Sequence, residues 1–154
     1  MIRVLFVCLG NICRSPMAEA VFRHKVKQRG LHNLIQVDSA GTGDWHIGNP
    51  PHEGTRAILD EYEVDHAGLK ARQVVAGDMD DFDYIIAMDE KNLKDLKILS
   101  RNKETQIYRM LEFLPSNEIK NVPDPYFTGN FNEVYDLIES SCEQLLETMI
   151  KNKK

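Results

Sequence analysis

Ile2-Arg-Val-Leu-Phe-Val-Cys-Leu-Gly-Asn-Ile-Cys-Arg-Ser-Pro16 opens the chain and decides how it folds. Ile2–Leu9 is aliphatic, β-branched and aromatic, interrupted only by Arg3, and it lacks polar alternation. That pattern fits a strand buried on both faces. Gly10-Asn11 ends the run. Ser15-Pro16 then supplies an N-cap residue followed by proline at the first helical position. Ala18, Val21, Phe22 and Val26 recur at helical spacing, so a helix buries that face and stops near Gly30.

The same alternation continues along the chain. Ile35–Ala40 reads as a second strand closed by Gly41-Thr42-Gly43, and Asp44–Pro51 as a loop carrying Trp45. A helix over about His52–Tyr62 precedes an irregular or partly helical stretch, Val64–Asp81. Asp83–Met88 is a buried strand, Glu90–Leu99 a helix and Gln106–Met110 a weaker strand. Val122-Pro-Asp-Pro125 reads as a loop. Phe131–Ile150 reads as a final helix, with Val134, Leu137, Ile138, Leu145 and Ile150 facing the core. Four strands alternating with helices predict a single α/β domain: a four-stranded parallel sheet flanked by helices in three layers, flavodoxin-like. Ligands of such sheets bind beyond the carboxyl ends of the strands, near a topological switch point. The loop after the first strand occupies such a position.

Composition narrows the functional classes. The 154 residues fit one domain, and no stretch approaches the length of a membrane span. Met1–Leu9 is too short for a signal peptide, which favours a cytoplasmic protein and leaves export without a signal open. Net charge is −5, and the only basic cluster is Lys151, Lys153 and Lys154, so nucleic-acid binding is not expected. Any anion must then be held by shaped local donors. The cysteines Cys8, Cys13 and Cys142 and the five histidines show no disulfide framework or metal-ligand spacing, so no metal is expected.

The chemistry lies in Cys8–Ser15. A loop joining a buried strand to a helix N-terminus turns backbone N–H groups and a partial positive charge towards one point. Gly10 is expected to supply a backbone conformation closed to residues with side chains. Arg14, separated from Cys8 by five residues, adds a planar fork of donors for two phosphate oxygens. Such surroundings favour the thiolate of Cys8, a nucleophile able to form a covalent phosphocysteine. A lone cysteine at a strand end is usually an inert core residue. Here strand, glycine, arginine, serine and proline occur together and in order.

Cys8-Leu-Gly-Asn-Ile-Cys-Arg-Ser-Pro-Met-Ala-Glu19 resembles the signature loop of the low-molecular-weight protein tyrosine phosphatases. The resemblance extends through Asp38–Thr42, Trp45, Gly48–Pro51, Phe82–Ile86, Met88-Asp-Glu90 and Asp124-Pro-Tyr126. It implies the phosphatase I type of the fold and no cofactor. It also implies a tyrosine-phosphorylated protein as substrate and a monomeric or weakly self-associating chain. Cys8 would be the nucleophile, Arg14 the transition-state stabiliser and Asp124 the general acid and base, its backbone restricted by Pro123 and Pro125. Leu9, Gly10, Asn11, Ile12, Cys13 and Ser15 would form the phosphate loop, with Trp45, Tyr126 and Phe127 as pocket walls. Asn11, in a strained conformation, and Ser15 would brace that loop, the serine touching the thiolate or capping the helix.

Two departures and two rivals follow. Many relatives place a histidine two residues before Ala-Arg-Gln, where this chain has Leu69 before Ala71-Arg72-Gln73. That histidine helps to position the loop asparagine and serine, and no spacing argument puts His66 in its place. Phe127 stands where a second tyrosine is common. Phosphoarginine phosphatases of the same scaffold tend to carry threonine at the position of Ile12, so Ile12 favours an aryl phosphate. Arsenate reductases need further cysteines for a disulfide relay, and none lies near Met88. Cys13 suggests reversible disulfide protection of Cys8; Cys142 reads as structural.

Overall fold

The computed structural model describes residues 1–100, 106–114 and 119–152, so Lys153 and Lys154 lie outside the described residues. Four parallel strands, β1 (Ile2–Cys8), β2 (Ile35–Gly41), β3 (Tyr84–Ala87) and β4 (Ile107–Arg109), form one sheet in the order β2-β1-β3-β4. β1 is central, pairing with β2 from Ile2↔Ile35 to Cys8↔Gly41 and with β3 from Val4↔Tyr84 to Val7↔Ala87. The first crossover therefore runs to one side of β1 and the next to the other. The switch point falls at the carboxyl end of β1, where Cys8 sits.

Alternation along β1 sorts two cores. Val4, Phe6 and Cys8 face a core shared with α1 (Arg14–Gln28), α2 (Glu53–Glu61) and α6 (Phe131–Asn152). Leu5 and Val7 face the opposite core, closed by α3 (Asp78–Asp81) and α4 (Glu90–Leu99). This is the expected three-layer α/β arrangement. Among the described residues no helix is long and apolar enough to cross a membrane.

Helix α1 departs from the expected single apolar face. Every residue from Arg14 to Phe22 is buried, so its first half is enclosed all round. Apolar spacing cannot reveal this, because Arg14, Ser15 and Glu19 are the polar members of that enclosed half. The helix also begins two residues earlier than Ser15-Pro16 suggests: Cys13 is the N-cap residue and makes no side-chain cap. Ser15 is thus not the cap, since its hydroxyl is committed to Cys8 and Asn11. Pro16 falls within the first turn, where a missing N–H leaves no ladder bond unmade.

Two further expectations change. Pro125 does not stay in a loop but opens α5 (Pro125–Thr128), with Asp124 as N-cap accepting from the Tyr126 N–H. Asp89 caps α4 in the same way through the Asn92 N–H. On α6, Val134, Ile138 and Leu145 are buried as expected, whereas Leu137 and Ile150 are only partly so; Tyr135, Ser141, Cys142, Leu146 and Met149 complete the buried face.

Candidate active site

The loop after β1 owes its polarity to where its carbonyls go. Cys8 O and Leu9 O accept from the N–H groups of Thr42 and Gly43, each at 2.9 Å. Ile12 O accepts from the His52 N–H at 2.7 Å, and Cys13 O from Met17 N and Thr55 Oγ1. Four carbonyls are thereby pinned to the surrounding scaffold. The N–H groups of Leu9, Gly10, Ile12 and Cys13 have no protein acceptor among the described residues, and that of Asn11 donates to Cys8 Sγ at 3.3 Å. A ring of donors with its acceptors turned outward is an anion cradle.

The left-handed conformation in this loop belongs to Asn11, with φ 57°, and not to Gly10 as its residue type suggested. Asparagine tolerates it because its side chain is held locally. Gly10 is small for another reason: a Cβ there would stand 3.1 Å from His46 Cδ2. Gly41, at the end of β2, is the tighter position. A Cβ on it would meet Leu9 O at 2.8 Å and Asn11 at 3.1 Å, so only glycine lets the two strand ends bring the loop this close. Gly41→Ala should displace the loop, costing about 1–3 kcal/mol of stability and most of the activity. Thermal unfolding and turnover, measured together, check this.

Asn11 Nδ2 donates to Ser15 Oγ at 2.7 Å and to Ser39 Oγ at 3.0 Å, while Asn11 Oδ1 accepts from the Arg72 N–H at 2.9 Å. Ser15 Oγ lies 3.0 Å from Cys8 Sγ. Both residues stand behind the loop and neither lines the cavity. Leu69, at the expected histidine position, packs on the larger core, and His66 Nε2 is 2.8 Å from Asp60 Oδ1. Neither supports Asn11. The backbone of Arg72 and the hydroxyl of Ser39 hold it.

Arg14 is buried beneath the loop. Its Nη1 donates to Asp89 Oδ2 at 2.8 Å and to Val122 O at 3.0 Å, and its Nη2 lies 3.4 Å from Asp124 Oδ2. Burial disfavours the Arg14 cation, but Cys8, Asp89 and Asp124 more than offset it and raise its pKa. Its Nε is buried without a partner among the described residues, leaving a donor for an incoming oxyanion. Cys13 is shifted the other way from a nucleophile: burial, then Cys8 and Asp124, push its thiol up to about 12.

A cavity of about 400 Å³ opens over the loop, lined by Cys8, Arg14, Asp124, Ile12 and the aromatic residues Trp45, Tyr126 and Phe127. The three aromatics are exposed, standing around the mouth as walls. Phe127 meets Tyr126 edge-on at 5.3 Å, and Tyr126 meets His52 edge-on at 5.9 Å. Among the described residues no group of three His, Cys, Asp or Glu side chains could hold a metal ion. Sequence reading missed His46, which also lines the cavity, and Asp89, which clamps Arg14. His46 had only its neighbour Trp45 to mark it. Asp89 was visible within Met88-Asp-Glu90 but carried no assigned task.

Cradle, thiol, guanidinium and carboxyl converge at the switch point of a doubly wound α/β sheet, the layout of a phosphate-ester site. The chain belongs to the low molecular weight phosphotyrosine protein phosphatase family, whose sequence model matches residues 3–154. It is 55% identical over 155 residues to the low molecular weight protein-tyrosine-phosphatase YfkJ of Bacillus subtilis (strain 168), spanning 100% of this chain and 99% of that one. The crystal structure of YfkJ superposes with a TM-score of 0.97 at 54% identity, covering 100% of this chain and 98% of the other. The low molecular weight protein-tyrosine-phosphatase PtpA of Staphylococcus aureus (strain bovine RF122 / ET3-1) is 47% identical over 152 residues, 99% of this chain and 96% of PtpA. The crystal structure of DARP, a Drosophila arginine phosphatase, is also similar: TM-score 0.88, 37% identity, 95% of this chain and 96% of DARP.

Proposed function

We propose that this chain is a single-domain protein-tyrosine phosphatase acting through a phosphocysteine on Cys8. The observation that carries the reading is the loop itself: four of its carbonyls are taken up by the surrounding scaffold, while the N–H groups of Leu9, Gly10, Ile12 and Cys13 and the Arg14 Nε have no acceptor among the described residues, beside the cavity that Cys8 lines. Cys8 Sγ attacks phosphorus as the bond to the tyrosine oxygen breaks. Arg14 and the loop amides take the growing charge of the three equatorial oxygens. Asp124, at the cavity wall, gives its proton to the departing phenolate. Asp124 then removes a proton from water, which attacks phosphorus, and the S–P bond breaks to release phosphate and the thiolate.

Ile12, Trp45, Tyr126 and Phe127 give the cavity an apolar wall suited to a phenyl ring, and Ile12 stands where phosphoarginine phosphatases tend to carry threonine. Purified protein should therefore release phosphate from phosphotyrosine peptides, without added metal, faster than from phosphoarginine peptides. The reverse order would overturn the substrate assignment. The reading includes a cytoplasmic enzyme that works as a monomer or weak self-associate. It also includes a protective role for Cys13, whose protonated thiol leaves Cys8 the first target of peroxide. Cys13→Ser should then leave peroxide-inactivated enzyme harder to recover with dithiothreitol; unchanged recovery would remove that role. Cys142 is buried in the core, 3.9 Å from Ala18 O, and takes no part.

A further inference from the structure

Beside the Tyr126 wall stands a ring that the mechanism does not use. His52 is not among the residues lining the cavity, yet it meets Tyr126 edge-on at 5.9 Å. On its other side it is stacked on Phe131, with ring centroids 5.3 Å apart and planes 18° apart. Phe131 opens α6 and packs in turn against a small buried cluster of Ile12, Cys13 and Ala71. A column of rings thus runs from two residues of the phosphate loop, through Phe131 and His52, to the wall.

His52 is held through both its backbone and its ring. Its backbone N–H donates to Ile12 O at 2.7 Å, and its Nδ1 accepts from the Gly54 N–H at 3.0 Å, capping α2. Helix caps are ordinarily serine, threonine, aspartate or asparagine, which close a helix without a ring. Here the cap also sets the angle of an imidazole. Gly54 makes room for the stack, because a Cβ there would collide with the Phe131 ring. Glycine within a helix costs backbone order, and the space it leaves is taken by the ring on which His52 lies.

Tyr126 needs such backing, since it belongs to a helix of four residues and is 54% exposed. Among the described residues its ring neighbours are Phe127, His46 and His52. Phe127 sits on the same short helix, and His46, farther off at 6.4 Å, lines the cavity itself. His52 is the neighbour anchored outside the cavity.

We propose that His52 is a positioning residue that holds the Tyr126 ring in place for the aryl group of the substrate, braced by its own stack on Phe131. This rests on the reading of the cavity as a phosphotyrosine site. A wall already in place need not be ordered when substrate arrives, so the gain falls on binding of the aryl ester. The phosphate cradle is served separately, by a backbone N–H that asparagine or phenylalanine at this position would keep.

The test pairs a phosphotyrosine peptide, which needs wall and cradle, with inorganic phosphate as competitive inhibitor, which needs the cradle alone. His52→Asn keeps the cap and the backbone bond and removes the ring. It should raise KM for the peptide about fivefold, with kcat and the phosphate inhibition constant changed by less than about twofold. In a Tyr126→Ala background the same substitution should add nothing further to KM, because the two rings act together. His52→Phe keeps a ring and removes the cap, so its melting temperature should fall while KM stays near that of the unsubstituted protein. An unchanged KM in His52→Asn, a rise that adds in full to that of Tyr126→Ala, or a phosphate constant that weakens in step with KM would overturn the positioning role. So would a KM raised as much by His52→Phe, which would assign the effect to the cap. Failure of the phosphotyrosine reading looks different: the unsubstituted protein would not turn over the peptide at all.

Discussion

Replacing Cys8 by serine should abolish phosphate release, a loss of at least about 10⁴-fold in kcat. The substitution changes one atom and leaves the cradle standing. Cys8 is 3% exposed at the base of the loop, and a hydroxyl fits where the thiol was. A serine hydroxyl, however, stays protonated at neutral pH and is a far weaker nucleophile than a thiolate. Asp124 is spoken for at the leaving-group side, paired 3.4 Å from Arg14 Nη2. The variant should still bind inorganic phosphate, since loop amides and Arg14 are untouched. Titration calorimetry separates the two properties: binding kept and turnover lost is the expected pair, and full activity would refute the covalent route.

Removing the Asp124 carboxyl should cost less but in a more informative way. Asp124→Ala should lower kcat about 10²- to 10³-fold for phosphotyrosine and far less for an aryl ester whose phenolate leaves without a proton. The carboxyl also caps α5 through the Tyr126 N–H, so alanine removes about 1 kcal/mol of local stability and loosens the wall that Tyr126 forms. Asp124→Asn separates these effects, because asparagine keeps the cap and cannot supply the proton. The two variants should share the leaving-group dependence. If both slowed all esters equally, Asp124 would be a structural group and the acid would lie elsewhere.

Most of the sheet was legible because its strands are continuous apolar runs between turn residues. β1 and β3 are buried on both faces, and their positions follow from composition alone. Helix α4 was read over its observed span, Glu90–Leu99, directly after the buried strand β3. Helix α1 was harder. Its enclosed half carries Arg14, Ser15 and Glu19, and sequence patterning treats buried polar residues as surface. The start of that helix was misplaced by two residues, and the helix opening at Pro125 was missed, since the sequence there reads as a loop. In both cases a side chain assigned to one task was committed to another.

The same division runs through the site. Cys8, Arg14 and Asp124, which the structure brings to one cavity, were named as candidates from the sequence, because the loop is contiguous and a strong family resemblance marks the distant carboxyl. The residues that hold Arg14 and Asn11 in place could not. Asp89 reaches Arg14 across 75 positions, Ser39 reaches Asn11 across 28, and the Arg72 backbone reaches it across 61. A backbone N–H leaves no trace in residue identity at all.

By itself, then, the sequence determined an α/β fold with a glycine-containing loop at the end of the first strand, and it named the groups proposed to carry the chemistry. Those features are local, set by hydrophobic run length, turn chemistry and a short contiguous motif. Tertiary structure decided which way the loop carbonyls turn, why Gly41 must lack a side chain, and how Asn11 is held where Leu69 stands. Those depend on contacts between segments far apart in the chain, which close only when the sheet brings the ends of β1 and β2 together.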